Sequence, residues 1–162
     1  ARATMGQCLD ALRPGDAFNL MSFAGGVGMC FPEPVLASPA TVEKARDFLN
    51  GLEGGGGTEM MKAIEAALAA PADEDRLRLV CFMTDGFIGN DYEILGAVKD
   101  HADRARVFSF GIGNSVNRFL IEGMAREGRG AAEIVTLAET GDEAAERFAK
   151  RVQSPVLWDV AI

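Results

Sequence analysis

The segment "RLRLVCFMTDG" (residues 76–86) decides the fold class. From Leu79 to Met83 it is an unbroken apolar run, too short for a typical helix. This is the pattern of a strand covered on both faces, as in the interior of a parallel sheet. The run stops at Thr84 and Asp85, and Gly86 permits a sharp exit of the chain.

Working outward, helical and strand patterns alternate. Downstream come "DYEILGAVKDHADR" (91–104, helix), "ARVFSFGIG" (105–113, strand), "VNRFLIEGMAREG" (116–128, helix), "AAEIVTL" (131–137, strand) and "GDEAAERFAKRV" (141–152, helix). Upstream, apolar positions Ala3, Met5, Cys8, Leu9 and Leu12 follow helical spacing, "RPGD" (13–16) is a turn, and "AFNLMSFA" (17–24) is strand-like. A glycine- and proline-broken stretch predicts a short edge strand near 27–31 followed by loop. "SPATVEKARDFLNGL" (38–52) is a helix with a Ser or Thr cap, and "TEMMKAIEAALAA" (58–70) is a second, stopped by Pro71.

Strands alternating with helices of 10–15 residues imply right-handed crossovers. The predicted fold is therefore α/β: a doubly wound, mainly parallel, Rossmann-like sheet with helices on both faces. Residues 1–153 form the domain, and "SPVLWDVAI" (154–162) is a strand-like segment leading onward.

Composition narrows the function. The 162 residues carry 24 acidic against 16 basic side chains, a formal net charge of −8. A nucleic-acid surface needs clustered Lys and Arg, and here they are dispersed among acids. No apolar run approaches the roughly 20 residues that span a bilayer. Cys8, Cys30 and Cys81 show no C-x-x-C spacing, which offers neither a zinc ribbon nor a redox dithiol and is read as small buried hydrophobes.

Ligands of open parallel sheets bind beyond the carboxyl ends of the strands. Asp85 stands there, either as a functional carboxylate or as a helix cap or Asx turn. "FSFGIGNSVN" (108–117) has Gly111 and Gly113, but Val116 occupies the third glycine position of a dinucleotide fingerprint. "GGGGT" (54–58) lacks the lysine of a phosphate loop and follows a helix. It presents Thr58 at a helix N-terminus, where the hydroxyl can cap the helix or bind an anion or metal. His101, the single histidine, lies in a charged helical stretch, and Ser22, Ser109 and Ser115 lack a nucleophile elbow.

Four segments in order, "LRPGDAFNLMSF" (12–23), "GGGGTEMMKAIEAAL" (54–68), "VCFMTDGFIGN" (80–90) and "VFSFGIGNSVNRFLIEGMAREGRG" (107–130), resemble the von Willebrand factor A domain. The version they look most like is that of bacterial proteins similar to inter-alpha-trypsin inhibitor heavy chains. The resemblance implies a metal-ion-dependent adhesion site, in which Thr58 matches the metal-binding threonine and Asp85 the aspartate. It implies Mg²⁺ or another divalent cation as cofactor, a protein ligand offering a carboxylate as partner, and a cell-envelope or extracellular setting. Gly54 to Gly57 let the loop approach the ion, Gly57 and Gly86 line the site, and Asn90 and Asp91 shape its rim.

One part of the family pattern is missing. The D-x-S-x-S motif and the central strand before it do not occur, because the chain opens inside the helix that follows them. Mg²⁺ favours six oxygen ligands, so one hydroxyl and one carboxylate make a weak site. With strands about 4.8 Å apart, an absent central strand leaves a slot of about 10 Å lined by unpaired backbone groups. The expected occupant is a strand from a separate chain or segment, or "PVLWDVAI" (155–162) of this chain or of a symmetry mate. Two other functions stay open from the sequence: a Mg²⁺-dependent phosphoryl-transfer or hydrolytic enzyme using Asp85, and a scaffold with a degenerate site.

Overall fold

The structure is a computed structural model that describes residues 2–23, 25–53, 60–69, 76–84, 89–113, 116–135, 143, 146 and 147. Its order is α1 (Arg2–Asp10), β1 (Ala17–Phe18), β2 (Met21–Phe23), β3 (Val27–Met29), β4 (Val35–Leu36), α2 (Pro39–Gly51), α3 (Met60–Ala69), β5 (Arg78–Thr84), α4 (Asp91–Asp100), β6 (Ala105–Ile112), α5 (Arg118–Glu127) and β7 (Ala132–Val135).

The predicted parallel sheet is present as β5-β6-β7. Its register runs from Arg78 opposite Ala105 to Thr84 opposite Gly111, and from Ser109 opposite Ala132 to Ile112 opposite Val135. Because all three strands run the same way, their carboxyl ends share one edge. Alternation divides the side chains between two faces. Val80, Phe82, Ala105 and Val107 pack under α3, α4 and α5, with Ile64, Ile94, Leu120 and Met124 fully buried among them. Cys81, Met83, Phe108, Phe110 and Val135 form the apolar layer of the other face. A separate cluster of Leu9, Phe31 and Ala45 seats α1 on α2.

Local chemistry sets the element ends. Ser38 starts α2 through a reciprocal capping box: the Thr41 N–H donates to Ser38 Oγ at 3.2 Å and the Ser38 N–H donates to Thr41 Oγ1 at 2.9 Å. Between α5 and β7, Gly130 passes so close to β6 that a Cβ on it would lie 2.1 Å from the Val107 carbonyl oxygen.

The structure corrects the sequence expectations in four places. The strand expected over 17–24 is two short strands broken at Asn19. The Asn19 side chain stands in for a strand there: Oδ1 accepts from the Leu20 and Phe31 N–H groups, at 2.8 and 3.1 Å, and Nδ2 donates to the Phe31 carbonyl at 2.8 Å. Val35 and Leu36, expected as loop, pair antiparallel with Ala17 and Phe18. The apolar run is not covered throughout, since Leu79 at its start is 38% exposed and Leu77 just before the strand is 46% exposed. The fourth helix ends at Asp100, so His101 is its C-cap instead of a mid-helix residue, with Nδ1 2.9 Å from the Ala97 carbonyl oxygen.

Of the helix expected over 141–152, the described residues Glu143, Glu146 and Arg147 are helical, and Arg147 pairs with Glu133 of β7. The segment 154–162 lies outside the described residues.

Candidate functional site

Thr58, Gly57, Asp85 and Gly86 lie outside the described residues, as does the rest of Gly54 to Glu59. The frame on which Asp85 follows is described. Thr84 is the last residue of β5, buried at 8% exposure, opposite Gly111 of β6. Helix α4 begins with Asn90 as N-cap and Asp91 in its first turn. After β6, Gly113 takes a φ of +103° and donates its N–H to the Val135 carbonyl at 2.9 Å. A left-handed φ of this kind favours glycine. Val116 then folds back so tightly that a Cβ on Gly111 would lie 2.2 Å from its Cγ1.

Both helices that follow these strands therefore start at the carboxyl edge of the sheet, and one hydrogen bond joins their starts. Asn117 caps α5, its Oδ1 accepting from the Leu120 N–H at 3.2 Å, and its Nδ2 donates to Asp91 Oδ2 at 2.9 Å. The other carboxylate oxygen, Asp91 Oδ1, is buried with no hydrogen-bond partner among the described residues. An unsatisfied buried acceptor costs about 1–3 kcal/mol until a donor or a cation completes it. Asn90 does not cap its helix by its side chain. Its Nδ2 reaches Glu93 Oε2 at 3.3 Å instead.

Of the two rim residues the sequence nominated and the structure describes, Asp91 faces the neighbouring helix start and Asn90 turns along its own helix. Two further features carried no sequence signal of function. Asn117 pairs with Asp91 across 26 residues. Beside that pair, Tyr92 is 82% exposed and meets the half-exposed Phe119 ring edge-on, with centroids 5.7 Å apart. Asp91-Tyr92 and Asn117-Phe119 could have been suspected only from their matching places after two adjacent strands.

The described carboxylate at this edge is that of Asp91, and its Oδ1, without a hydrogen-bond partner among the described residues, is what a hard cation or a water on it would satisfy. Among the described residues no group of three or more His, Cys, Asp or Glu side chains could hold a metal ion by itself. The described part of the edge thus suits an outer position around a cation and does not form a complete site.

A parallel sheet flanked by helices, with two helix starts at its carboxyl edge, defines an α/β, Rossmann-like domain. The family model for the von Willebrand factor type A domain matches residues 2–134, and the chain belongs to that family. Human von Willebrand factor A domain-containing protein 5A is 29% identical over 163 residues, covering all of this chain and 21% of its own length. The first four curated relatives are all much longer, and the chain spans 13–21% of their length. Among solved structures, von Willebrand factor type A from Catenulispora acidiphila has a TM-score of 0.77 at 18% identity, over 92% of this chain and 36% of that one. Proximal thread matrix protein 1 from the mussel byssus, described with a zinc-occupied MIDAS motif, has a TM-score of 0.65 at 19% identity, over 92% of this chain and 40% of that one. At those identities the likeness to the solved structures concerns the fold.

Proposed function

We propose that this domain is a non-enzymatic protein-binding module that works through a divalent cation at the carboxyl edge of its sheet. Thr58 binds the ion through its hydroxyl, and Asp85 holds it through water. Gly57 and Gly86 let the two loops close on it, while Asn90 and Asp91 shape the rim. When bound, the cation supplies the positive charge that a carboxylate of the protein ligand completes. The rest is selectivity, for which the exposed Tyr92 and Phe119 rings offer an apolar shelf next to the rim.

The observation that carries this reading is the Asp91 carboxylate, fixed by Asn117 through one oxygen and, among the described residues, buried without a partner at the other. Membership of the family, and a fold relative described with an occupied MIDAS motif, support the choice of a cation as the missing partner. Mg²⁺ is the favoured ion because the donors are oxygens. The envelope or extracellular setting remains an inference from family resemblance; among the described residues no helix is long and apolar enough to cross a membrane.

The 162-residue chain is expected to bind Mg²⁺ weakly, with a dissociation constant in the millimolar range or above, because Thr58 and Asp85 supply too few of the six oxygens. Isothermal titration checks this, and a sub-millimolar constant would contradict it. A protein pull-down that chelation abolishes supports the binding reading. Turnover of phosphate esters, lost on Asp85→Asn, would replace that reading with the enzymatic one.

We further propose that an added strand fills the place between β2 and β5, drawn from a separate segment, a second copy or residues 155–162. Among the described residues β5 is paired only with β6 and β2 only with β3, yet the Phe23 and Phe82 rings meet with centroids 5.8 Å apart. Strand edges that lie close together with no neighbouring strand among the described residues favour strand addition. Hydrogen exchange on the β5 amides that do not bond to β6 is expected to be slow. Fast exchange at all of them would mean that the place is open.

A further inference from the structure

The two exposed rings beside the candidate site are set in an acidic surround. Tyr92 stands in the first turn of α4 and Phe119 in the first turn of α5, so the Asp91–Asn117 bond that joins the helix starts also brings the rings together. They meet edge-on, with centroids 5.7 Å apart and planes at 61°. That contact occupies one side of Tyr92 at most, and at 82% exposure a face of its ring is bare. One turn further along α4, a side chain at position 96 would lean back over Tyr92, because helical side chains point toward the N-terminus. Position 96 is an exposed glycine with nothing within 4 Å of where a Cβ would stand. The cover that a helix ordinarily gives such a ring is therefore missing.

We infer that Tyr92, backed by Phe119, seats a cationic side chain of the protein ligand, an arginine. The class of ligand rests on the binding module proposed above, whereas the seat itself consists of described residues. Charge selects the occupant. Asp91 precedes Tyr92 and the exposed Glu93 follows it, and on α5 the exposed Glu122 lies one turn after Phe119. Arg118 is the basic residue beside Phe119, and it stands one turn before Glu122, which offsets it. Carboxylates thus outweigh the guanidinium around the rings, on a chain whose formal net charge is −8. The face of an aromatic ring is the negative pole of its quadrupole, so ring and acids attract the same cation.

Other side chains fit less well. An aliphatic group would cover the ring but strip water from Glu93 without supplying a charge. A carboxylate would be repelled. Lysine brings a compact point charge, while the planar guanidinium of arginine lies flat on a ring and reaches a carboxylate with its fork of N–H donors. Glu93 Oε2 accepts from Asn90 Nδ2 at 3.3 Å, a long bond that leaves the carboxylate able to take such a fork. The matching ligand surface pairs an acid, for the cation, with an arginine near it, for the rings. Selection of that mixed-charge surface over a merely acidic one is what the seat adds to the module.

NMR titration of the 162-residue chain with N-acetyl-arginine amide, in the presence of chelator, tests the seat without the cation. The amides of Asp91, Tyr92, Glu93 and Phe119 are expected to shift together, and the δ-methylene protons of the probe to move upfield as they pass over the ring. N-acetyl-lysine amide should act more weakly, and the leucine and glutamate amides should leave these resonances unmoved. Tyr92→Leu, which keeps an apolar side chain but removes the π face, is expected to weaken binding of the arginine probe by about two- to fivefold or more. Gly96→Leu, which fills open space on an exposed turn, is expected to block it while thermal unfolding shows the fold intact. Equal shifts with the leucine amide would overturn the inference in favour of an apolar ligand group. So would an absence of shifts with the arginine probe, or an unchanged response in both folded variants. Because chelator is present throughout, failure here leaves cation-dependent capture untouched, and failure of that capture leaves this result readable.

Discussion

Gly130→Ala is expected to destabilise the protein by about 3 kcal/mol or more, at the upper end of what overpacking does. The added Cβ would lie 2.1 Å from the Val107 carbonyl oxygen and 2.7 Å from its carbon. Those atoms belong to β6, the middle strand, and cannot swing aside as a side chain can. The turn is also pinned at several points: the Val107 N–H donates to Gly128 at 3.0 Å, Ser109 to Ala131 at 3.0 Å, and Gly130 itself to Ala125 at 2.9 Å. Relief of the overlap must break one or more of these bonds, each leaving buried groups unpaired. Gly96 is the control. It lies inside α4 with nothing within 4 Å of a Cβ, so Gly96→Ala should be neutral or stabilising by up to about 1 kcal/mol. Urea unfolding of both variants, read as a shift in midpoint at constant slope, distinguishes overlap from a general intolerance of substitution.

Asp85→Asn is expected to abolish cation-dependent capture of a protein ligand while leaving the fold intact. The substitution keeps size and hydrogen-bonding shape and removes the charge of the carboxylate that the proposed site assigns to holding the ion, leaving only that of Asp91 at the rim. Loss of even an outer partner of a metal costs on the order of 10- to 100-fold in affinity, and a charged holder should cost at least the upper figure. Stability should change by less than about 1 kcal/mol if the carboxylate serves the ion and not the helix start. Equal thermal unfolding together with a capture signal that chelator cannot reduce further is the expected pair of results. An unfolded or strongly destabilised variant would instead assign Asp85 a capping role, the alternative its position after a strand had left open.

The α/β architecture was legible because it rests on periodicity. Val80, Phe82 and Val107 read as strand, and Ile94, Val98, Leu120 and Met124 as buried helix faces, from apolar spacing alone. What escaped notice depends on side chains that mimic backbone or on partners distant in sequence. Asn19 looked like one polar residue inside a strand, yet its amide takes over the pairing with Phe31 and divides the strand in two. Val35 and Leu36 follow Pro34, which argued for loop, and they pair only because the chain returns beside Ala17 and Phe18. For the candidate site, the edge could be located from the ends of β5 and β6, but the Asp91–Asn117 bond could not, since neither residue's local sequence calls for the other.

The central claim is that Thr58 and Asp85 share one cation at the carboxyl edge of the sheet. Mn²⁺ as a paramagnetic substitute for Mg²⁺, titrated into the 162-residue chain while backbone amide resonances are followed, tests it directly even where affinity is weak. The account expects the amides of Gly57 and Thr58 to broaden together with those of Asp85 and Gly86, at the same Mn²⁺ concentration, with reversal by excess Mg²⁺ and loss in Asp85→Asn. Broadening of one loop without the other, or broadening confined to acidic surface positions such as Asp10 and Asp103, would contradict it.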